Sequence, residues 1–190
     1  MRLFAAIELT EWERQRLARL PAMQGWVGMD RAGLNWVRPE NLHITLKFLG
    51  TVPDEQVPAV CEALGGVRAP GPIQLSIGHP AFLPPRGAVR VFVAEVGGEL
   101  DRLDVLQSEV EKVLTPLGFP AERRRFTPHV TLARPRREPR VPPEFRDDVW
   151  EHPGPPGGTF PVDSFVLMNS DLKPTGPVYS VVARFPLATP

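Results

Sequence analysis

Two short stretches of this chain place a histidine two residues ahead of a threonine: His43-Ile44-Thr45-Leu46 and His129-Val130-Thr131-Leu132. In extended backbone, side chains at i and i+2 project to one face and their neighbours to the other. Each stretch therefore presents an imidazole beside a hydroxyl, backed by two aliphatic residues that can be buried. One such run means little, because threonine is a good strand residue. On average residue usage, however, a histidine is followed by a β-branched aliphatic, Thr and Leu about once in a thousand cases. Here two of the four histidines are. His79, which precedes Pro80, and His152, in a stretch dense in Pro and Gly, lack the pattern and read as structural or solvated.

Imidazole exists in both protonation states near neutral pH without special tuning. Two histidines converging on one cleft thus form an acid/base pair: one takes a proton from water and the other gives one to a leaving oxygen. The hydroxyls of Thr45 and Thr131 can donate to the non-bridging oxygens of a phosphoryl group as charge builds in the transition state. This points to phosphodiester chemistry. Zinc is the main alternative use of paired histidines, but there is no His-x-His or His-x-x-x-His spacing, and neither motif holds a carboxylate. No metal and no cofactor are expected. Cys61, in "PAVCEALGG", has no histidine nearby in sequence and reads as a small half-buried helix residue rather than a nucleophile.

The surrounding charge suits an anion. Between 123 and 140 stand Arg123, Arg124, Arg125, Arg134, Arg136, Arg137 and Arg140 against the single acid Glu138, and guanidinium groups meet phosphate in a planar fork. Most of these read as a solvated basic face, and Arg134 is singled out. Strict alternation sends it to the face opposite Thr131, so its use requires a bulge or the end of the strand at Pro135. Alternation puts Lys47, but not Phe48, on the face of His43 and Thr45, where the lysine is either a phosphate contact or solvated. If the arginines disfavour a charged His129, that histidine is the base and His43 the acid.

The elements that must position these groups follow from pattern. Residues 2–9 read as a strand, followed by a helix with Thr10 as N-cap and Glu13 three positions on. "LNWV" and "HITLKFLG" read as strands around the turn "RPEN", and "PDEQVPAVCEALGG" as a helix stopped by its glycines. "IQLSIGHPAFLP" and "AVRVFVAEV" form a pair across "PRG". The next helix carries Leu100, Leu103, Leu106, Val110, Val113 and Leu117 at helical spacing. "HVTLARP" is a strand, 137–158 a loop, and "TFPVDSFVLMNSDL" and "PVYSVVARFPL" close the chain as two strands. Short turns between neighbouring strands permit only antiparallel pairing, so the class is α+β rather than a doubly wound parallel sheet. The motifs lie 86 positions apart, each in a segment of strands and a helix, which suggests two related lobes facing each other. At 190 residues, 42% hydrophobic, the chain suits one unit spanning 1–190. Its formal charge of +0 excludes gathering nucleic acid or anionic membrane by a global field. The apolar run at the N-terminus breaks at Glu8, too soon for a membrane span, and a cytoplasmic monomer is expected. Of its 22 Lys and Arg only Lys47, Lys112 and Lys173 are lysine, and 24 residues are proline, as suits rigid loops.

With these residues in view the chain resembles the two-histidine phosphoesterases, which carry two His-x-Thr motifs on facing lobes, and within them the RNA 2′,3′-cyclic phosphodiesterases, also called 2′-5′ RNA ligases. "RLFAAIEL", "WVRPENLHITLKFLG", "FTPHVTLAR" and "LMNSDLKPTGPVYSVVARFPL" carry the resemblance over nearly the whole chain. It implies a bilobal α+β fold with pseudo-twofold symmetry and an active site in the central cleft. It implies metal-free hydrolysis of RNA terminal 2′,3′-cyclic phosphate to a 2′-phosphomonoester, with reversible 2′-5′ ligation as a related reaction. RNA 3′ ends or oligonucleotides with a cyclic phosphate are then the partners. His43, Thr45, His129 and Thr131 fall on catalytic positions, with Arg134 and Phe48 as supporting residues. Other readings are a related enzyme acting on 2′-5′ oligonucleotides or a small cyclic-phosphate metabolite, and an RNA-end binding module without turnover.

Overall fold

A computed structural model describes residues 1–20, 34–69, 71–84, 90–135, 157–174 and 176–187. Nine strands form one antiparallel sheet among them: β1 (Arg2–Glu8), β2 (Leu34–Trp36), β3 (His43–Thr51), β4 (Ile73–Leu83), β5 (Val91–Gly98), β6 (His129–Pro135), β7 (Thr159–Val162), β8 (Ser164–Lys173) and β9 (Gly176–Pro186). The order is β7-β4-β5-β6-β3-β1-β8-β9, with β2 paired to the far end of β6. The helices are α1 (Glu11–Ala18), α2 (Val57–Gly65) and α3 (Leu100–Leu114). The architecture is the α+β class read from the turn lengths. One expected strand is divided: at Asp163 the stretch from Thr159 to Lys173 splits into β7 and β8, which lie in opposite halves of the sheet. The turn "PRG", His152 and most of the loop 137–158 lie outside the described residues.

The order reads as two sets of four strands around the β3–β6 seam. That seam is thin, a single pairing of Ile44 with Val130. Two buried polar ties reinforce it, each running from one half to the other. Arg16 of α1 pairs with Glu13 at 3.0 Å and donates to the Ile77 carbonyl of β4, also at 3.0 Å. Lys47 of β3 donates to Glu111 of α3 at 2.5 Å and to the Pro120 carbonyl at 2.8 Å. α1 begins as its sequence requires: the Thr10 hydroxyl accepts from the Glu13 backbone N–H at 3.2 Å. α3 buries Leu103, Leu106, Val110 and Leu114 completely, and each such side chain contributes about 1.5–3 kcal/mol by leaving water. These residues join Ile44, Leu46, Val130 and Leu132 in one continuous core. The aliphatic partners in both His-x-Thr stretches are therefore the floor that holds the histidines on the opposite face.

Candidate active site

β3 and β6 carry the histidines in the same local setting. Each ring is held by the carbonyl two residues before it: His43 Nδ1 donates to Asn41 O and His129 Nδ1 to Thr127 O, both at 2.7 Å. A carbonyl can only accept, so Nδ1 carries the proton and Nε2 is left for chemistry. His43 Nε2 lies 3.1 Å from the Thr45 hydroxyl. The Asn41 that orients His43 is itself buried and donates through Nδ2 to the Pro177 carbonyl of β9 at 2.9 Å. An acid stands directly across from each histidine, Glu8 from His43 and Glu95 from His129. Glu8 is bound by Arg184 and lies 3.7 Å from Arg14.

Both strands contain the same irregularity. Thr45 pairs with Ala6 and Lys47 with the adjacent Ala5, so Leu46 is an extra residue. Thr131 pairs with Val93 and Ala133 with the adjacent Phe92, so Leu132 is extra in the same way. Such a bulge reverses the alternation beyond it. Leu46 and Lys47 are both 3% exposed, Leu132 and Ala133 both 0%. Phe48 and Arg134 then emerge on the histidine face.

This corrects the faces expected of Lys47 and Phe48 and meets the condition set on Arg134. Lys47 is not on the face of His43 and Thr45: the bulge turns it into the core, where Glu111 and Pro120 take its ammonium group. Arg134 reaches the face of His129 and Thr131 through the bulge it required. Phe48 is 58% exposed with its ring 5.9 Å from that of Phe4. The structure thus brings His43, Thr45, His129, Thr131, Arg134 and Phe48 to one face and leaves Lys47 behind it. His79 lies exposed in β4, and Arg123, Arg124 and Arg125 are likewise exposed.

Two further aromatic residues belong to the site. Phe4 packs 4.9 Å from the His43 ring, and Tyr179 of β9 meets it edge-on at 5.4 Å. Phe4 was legible only as part of a hydrophobic strand. Tyr179, the chain's single tyrosine, is brought in by a pairing far along the chain. Burial lowers the His43 pKa; the hydrogen bond to Asn41 opposes this, and the charges of Arg134, His129 and Arg14 add to it. The Tyr179 pKa is raised by burial, with Arg134 and Arg2 opposing. Arg134 belongs to one half, and His43 and Tyr179 to the other, so both halves face a common cleft. The arrangement offers a neutral imidazole, a second imidazole, hydroxyls and a guanidinium around one centre. Among the described residues, no group of three or more His, Cys, Asp and Glu side chains could hold a metal ion. No described helix is long and apolar enough to cross a membrane.

The family model LigT like Phosphoesterase matches residues 14–92 and 96–179, two stretches that each hold one His-x-Thr motif. The RNA 2′,3′-cyclic phosphodiesterase of Thermus thermophilus is 35% identical over 198 residues, covering 98% of this chain and 90% of its own. The protein of that name from Archaeoglobus fulgidus is 34% identical over 187 residues, covering 97% and 99%. Among solved structures, E. coli LigT complexed with NADP+ superposes with a TM-score of 0.73 at 26% identity, covering 99% of this chain and 98% of that one.

Proposed function

The chain belongs to the LigT-like phosphoesterases, and from that premise we propose that it hydrolyses the 2′,3′-cyclic phosphate at RNA 3′ ends to a 2′-phosphomonoester, without a metal, using His43 and His129 for proton transfer. The observation that carries this reading is the duplicated ring anchor. Each Nδ1 is committed to a backbone carbonyl at 2.7 Å, so two Nε2 atoms on adjacent strands serve one substrate. The relatives' names supply the RNA 2′,3′-cyclic phosphate, and cleavage at O3′ is what the family resemblance implies.

In the step proposed, a water oxygen attacks phosphorus, its proton passes to one Nε2, the bond to O3′ breaks, and the other imidazolium protonates the departing O3′. The phosphate remains on O2′. Thr45 and Thr131 donate to the non-bridging oxygens, and Arg134 offsets their charge. His43 suits the base. Burial holds it neutral first, and Arg134 reinforces this because the bulge aims its charge at His43 across the cleft. That reverses the order expected when Arg134 was taken to act on His129, its neighbour in sequence. Phe48, exposed beside His43, offers a face for the terminal nucleobase. If an RNA 5′-hydroxyl replaces water, the same transfers leave a 2′-5′ linkage, so ligation is a second use of the same site.

The test is an oligonucleotide ending in a 2′,3′-cyclic phosphate, incubated with the protein and EDTA and followed by phosphorus NMR. Conversion to the 2′-monoester is expected. Turnover that needs an added divalent ion would overturn the metal-free mechanism, and a 3′-monoester product would reverse the leaving oxygen.

A further inference from the structure

Past His43 the first half of the cleft continues as a face that opening one cyclic phosphate does not require. β8 and β9 pair Met168 with Val181, Ser170 with Tyr179 and Leu172 with Pro177, so these six residues share a face. Phe4 pairs with Met168 and packs on Tyr179 at 5.1 Å, which makes that face continuous with the histidine. Along it Leu172 is 63% and Val181 43% exposed, values a buried sheet face would not show. Arg2, two residues before Phe4 on an unbulged strand, projects to the same side. Its charge acts on the Tyr179 phenol, as does that of Arg134. Among the described residues the Arg2 guanidinium has no acidic partner, while its backbone N–H is satisfied by Asn169 at 3.1 Å. Among the described residues nothing matches this across the seam, where the equivalent patch is the buried Ala81, Val91 and Val93 with half-buried Leu83.

We propose that this face is a subsite for the nucleotide on the 5′ side of the terminal one, with its base on Tyr179 and Leu172 and the linking phosphodiester at Arg2. The proposal rests on the RNA-end reading above and extends it to substrate length. A cyclic phosphate closes the 3′ end, so the rest of an RNA substrate leaves the site in the 5′ direction only. Apolar rings interleaved with unpaired cations are what single strands bind without sequence preference. The charges of both Arg134 and Arg2 act on the phenol, so the face has one cation for the reacting phosphate and a second for the next one. Stacking of one base is worth about five- to 100-fold in affinity.

The experiment compares kcat/KM for a nucleoside 2′,3′-cyclic phosphate and for a dinucleotide ending in the same nucleoside. The dinucleotide is expected to be better by about tenfold, mainly through KM, as the stacking range implies. Arg2→Gln and Leu172→Ser, both at exposed positions, should each remove several-fold of that advantage and leave the mononucleotide value unchanged. Equal values for the two substrates in the unaltered protein, or variants that lower both alike, would overturn the subsite. If the unaltered protein turns over neither substrate, the RNA-end reading itself fails. Titration with the dinucleotide and mononucleotide 2′-phosphates then decides the subsite alone, tighter binding of the dinucleotide supporting it and equal binding overturning it.

Discussion

β3 and β6 are the same strand used twice. Over seven positions from the histidine their burial runs in the same order, half-buried, buried, half-buried, buried, buried, exposed, half-buried. The rings are fixed by the same kind of hydrogen bond, and the bulge falls on the same leucine of the motif. They part only after the bulge. The fifth residue is Lys47 in one and Ala133 in the other, and the sixth is Phe48 in one and Arg134 in the other. The anchored imidazole is duplicated, whereas the flank is divided: one half offers aromatic rings and the other a cation. A cyclic phosphate on a nucleoside is itself asymmetric, with a base on one side and charged oxygens on the other. On the function proposed, the paired strands match that asymmetry without altering the motif assigned to proton transfer.

The largest effects should come from the shared part. His43→Ala and His129→Ala are each expected to lower turnover of a cyclic-phosphate oligonucleotide by about 10²–10⁴-fold, the usual worth of a general acid or base. Neither imidazole belongs to the main hydrophobic core, so circular dichroism and melting should remain close to those of the parent. A folded variant that kept most of its rate would remove that histidine from the mechanism. A substrate with a 3′-thio leaving group separates the two, since sulfur departs without a proton. It should rescue His129→Ala and leave His43→Ala inactive, and the opposite pattern would restore His43 as the acid.

The next effect is on stability and tests why the fifth residues differ. Lys47 and Glu111 are a buried pair, and removing one partner strands the other at a cost of about 3–5 kcal/mol. Lys47→Met should lower the denaturation midpoint accordingly, and Lys47→Met with Glu111→Leu should recover most of the loss. The bulge itself does not need the pair, because β6 makes it with Ala133. The pair instead ties the His43 strand to α3 and to the segment leading toward His129. An unchanged midpoint in the single variant would show the tie to be idle.

Thr45→Val and Thr131→Val delete a donor while keeping shape and strand preference. A hydrogen bond to a charged group is worth about 1.5–3 kcal/mol, so each should cost roughly ten- to 100-fold in kcat with unchanged melting. Thr45 also touches His43 Nε2, so its variant should disturb the pH profile where Thr131→Val does not. Full activity in both would make the hydroxyls structural.

Much of this was readable from sequence because strands advertise themselves by a period of two. The motif positions, the aliphatic floor beneath them and the capping of α1 by Thr10 all rest on local spacing. The bulges were not readable: Leu46 and Leu132 look like ordinary core residues, and neither is marked by Gly or Pro. Alternation carried past them put Lys47 on the wrong face and sent Arg134 away from Thr131. Phe48 was reached by resemblance instead, and Arg134 by the local excess of arginine on condition of a bulge. Tyr179 and Asn41 had no local signal, since what qualifies them is the pairing of β9 with β8 and the Asn41 bond to β9.

The smallest expected effect is a shift in pH dependence, and it tests the sixth residues directly. With His43 as base, kcat/KM falls on the acid side as that histidine gains a proton in the free enzyme. Burial is the main cause of its lowered pKa, and the cation of Arg134 adds to it. Replacing Arg134 by Gln removes a charge that opposes the imidazolium, so the His43 pKa rises and the acid limb must move to higher pH. Phe48→Arg adds a cation on the His43 strand itself, beside the Phe4 ring that packs on the imidazole, and should move the limb to lower pH. Phe48→Ala adds no charge: it should raise KM for the nucleoside and leave the limb in place. Initial rates at subsaturating substrate across the acid range read all three. An acid limb that stayed put in Arg134→Gln would mean that the limb reports a group other than His43, because the charge of Arg134 acts across the cleft on that ring.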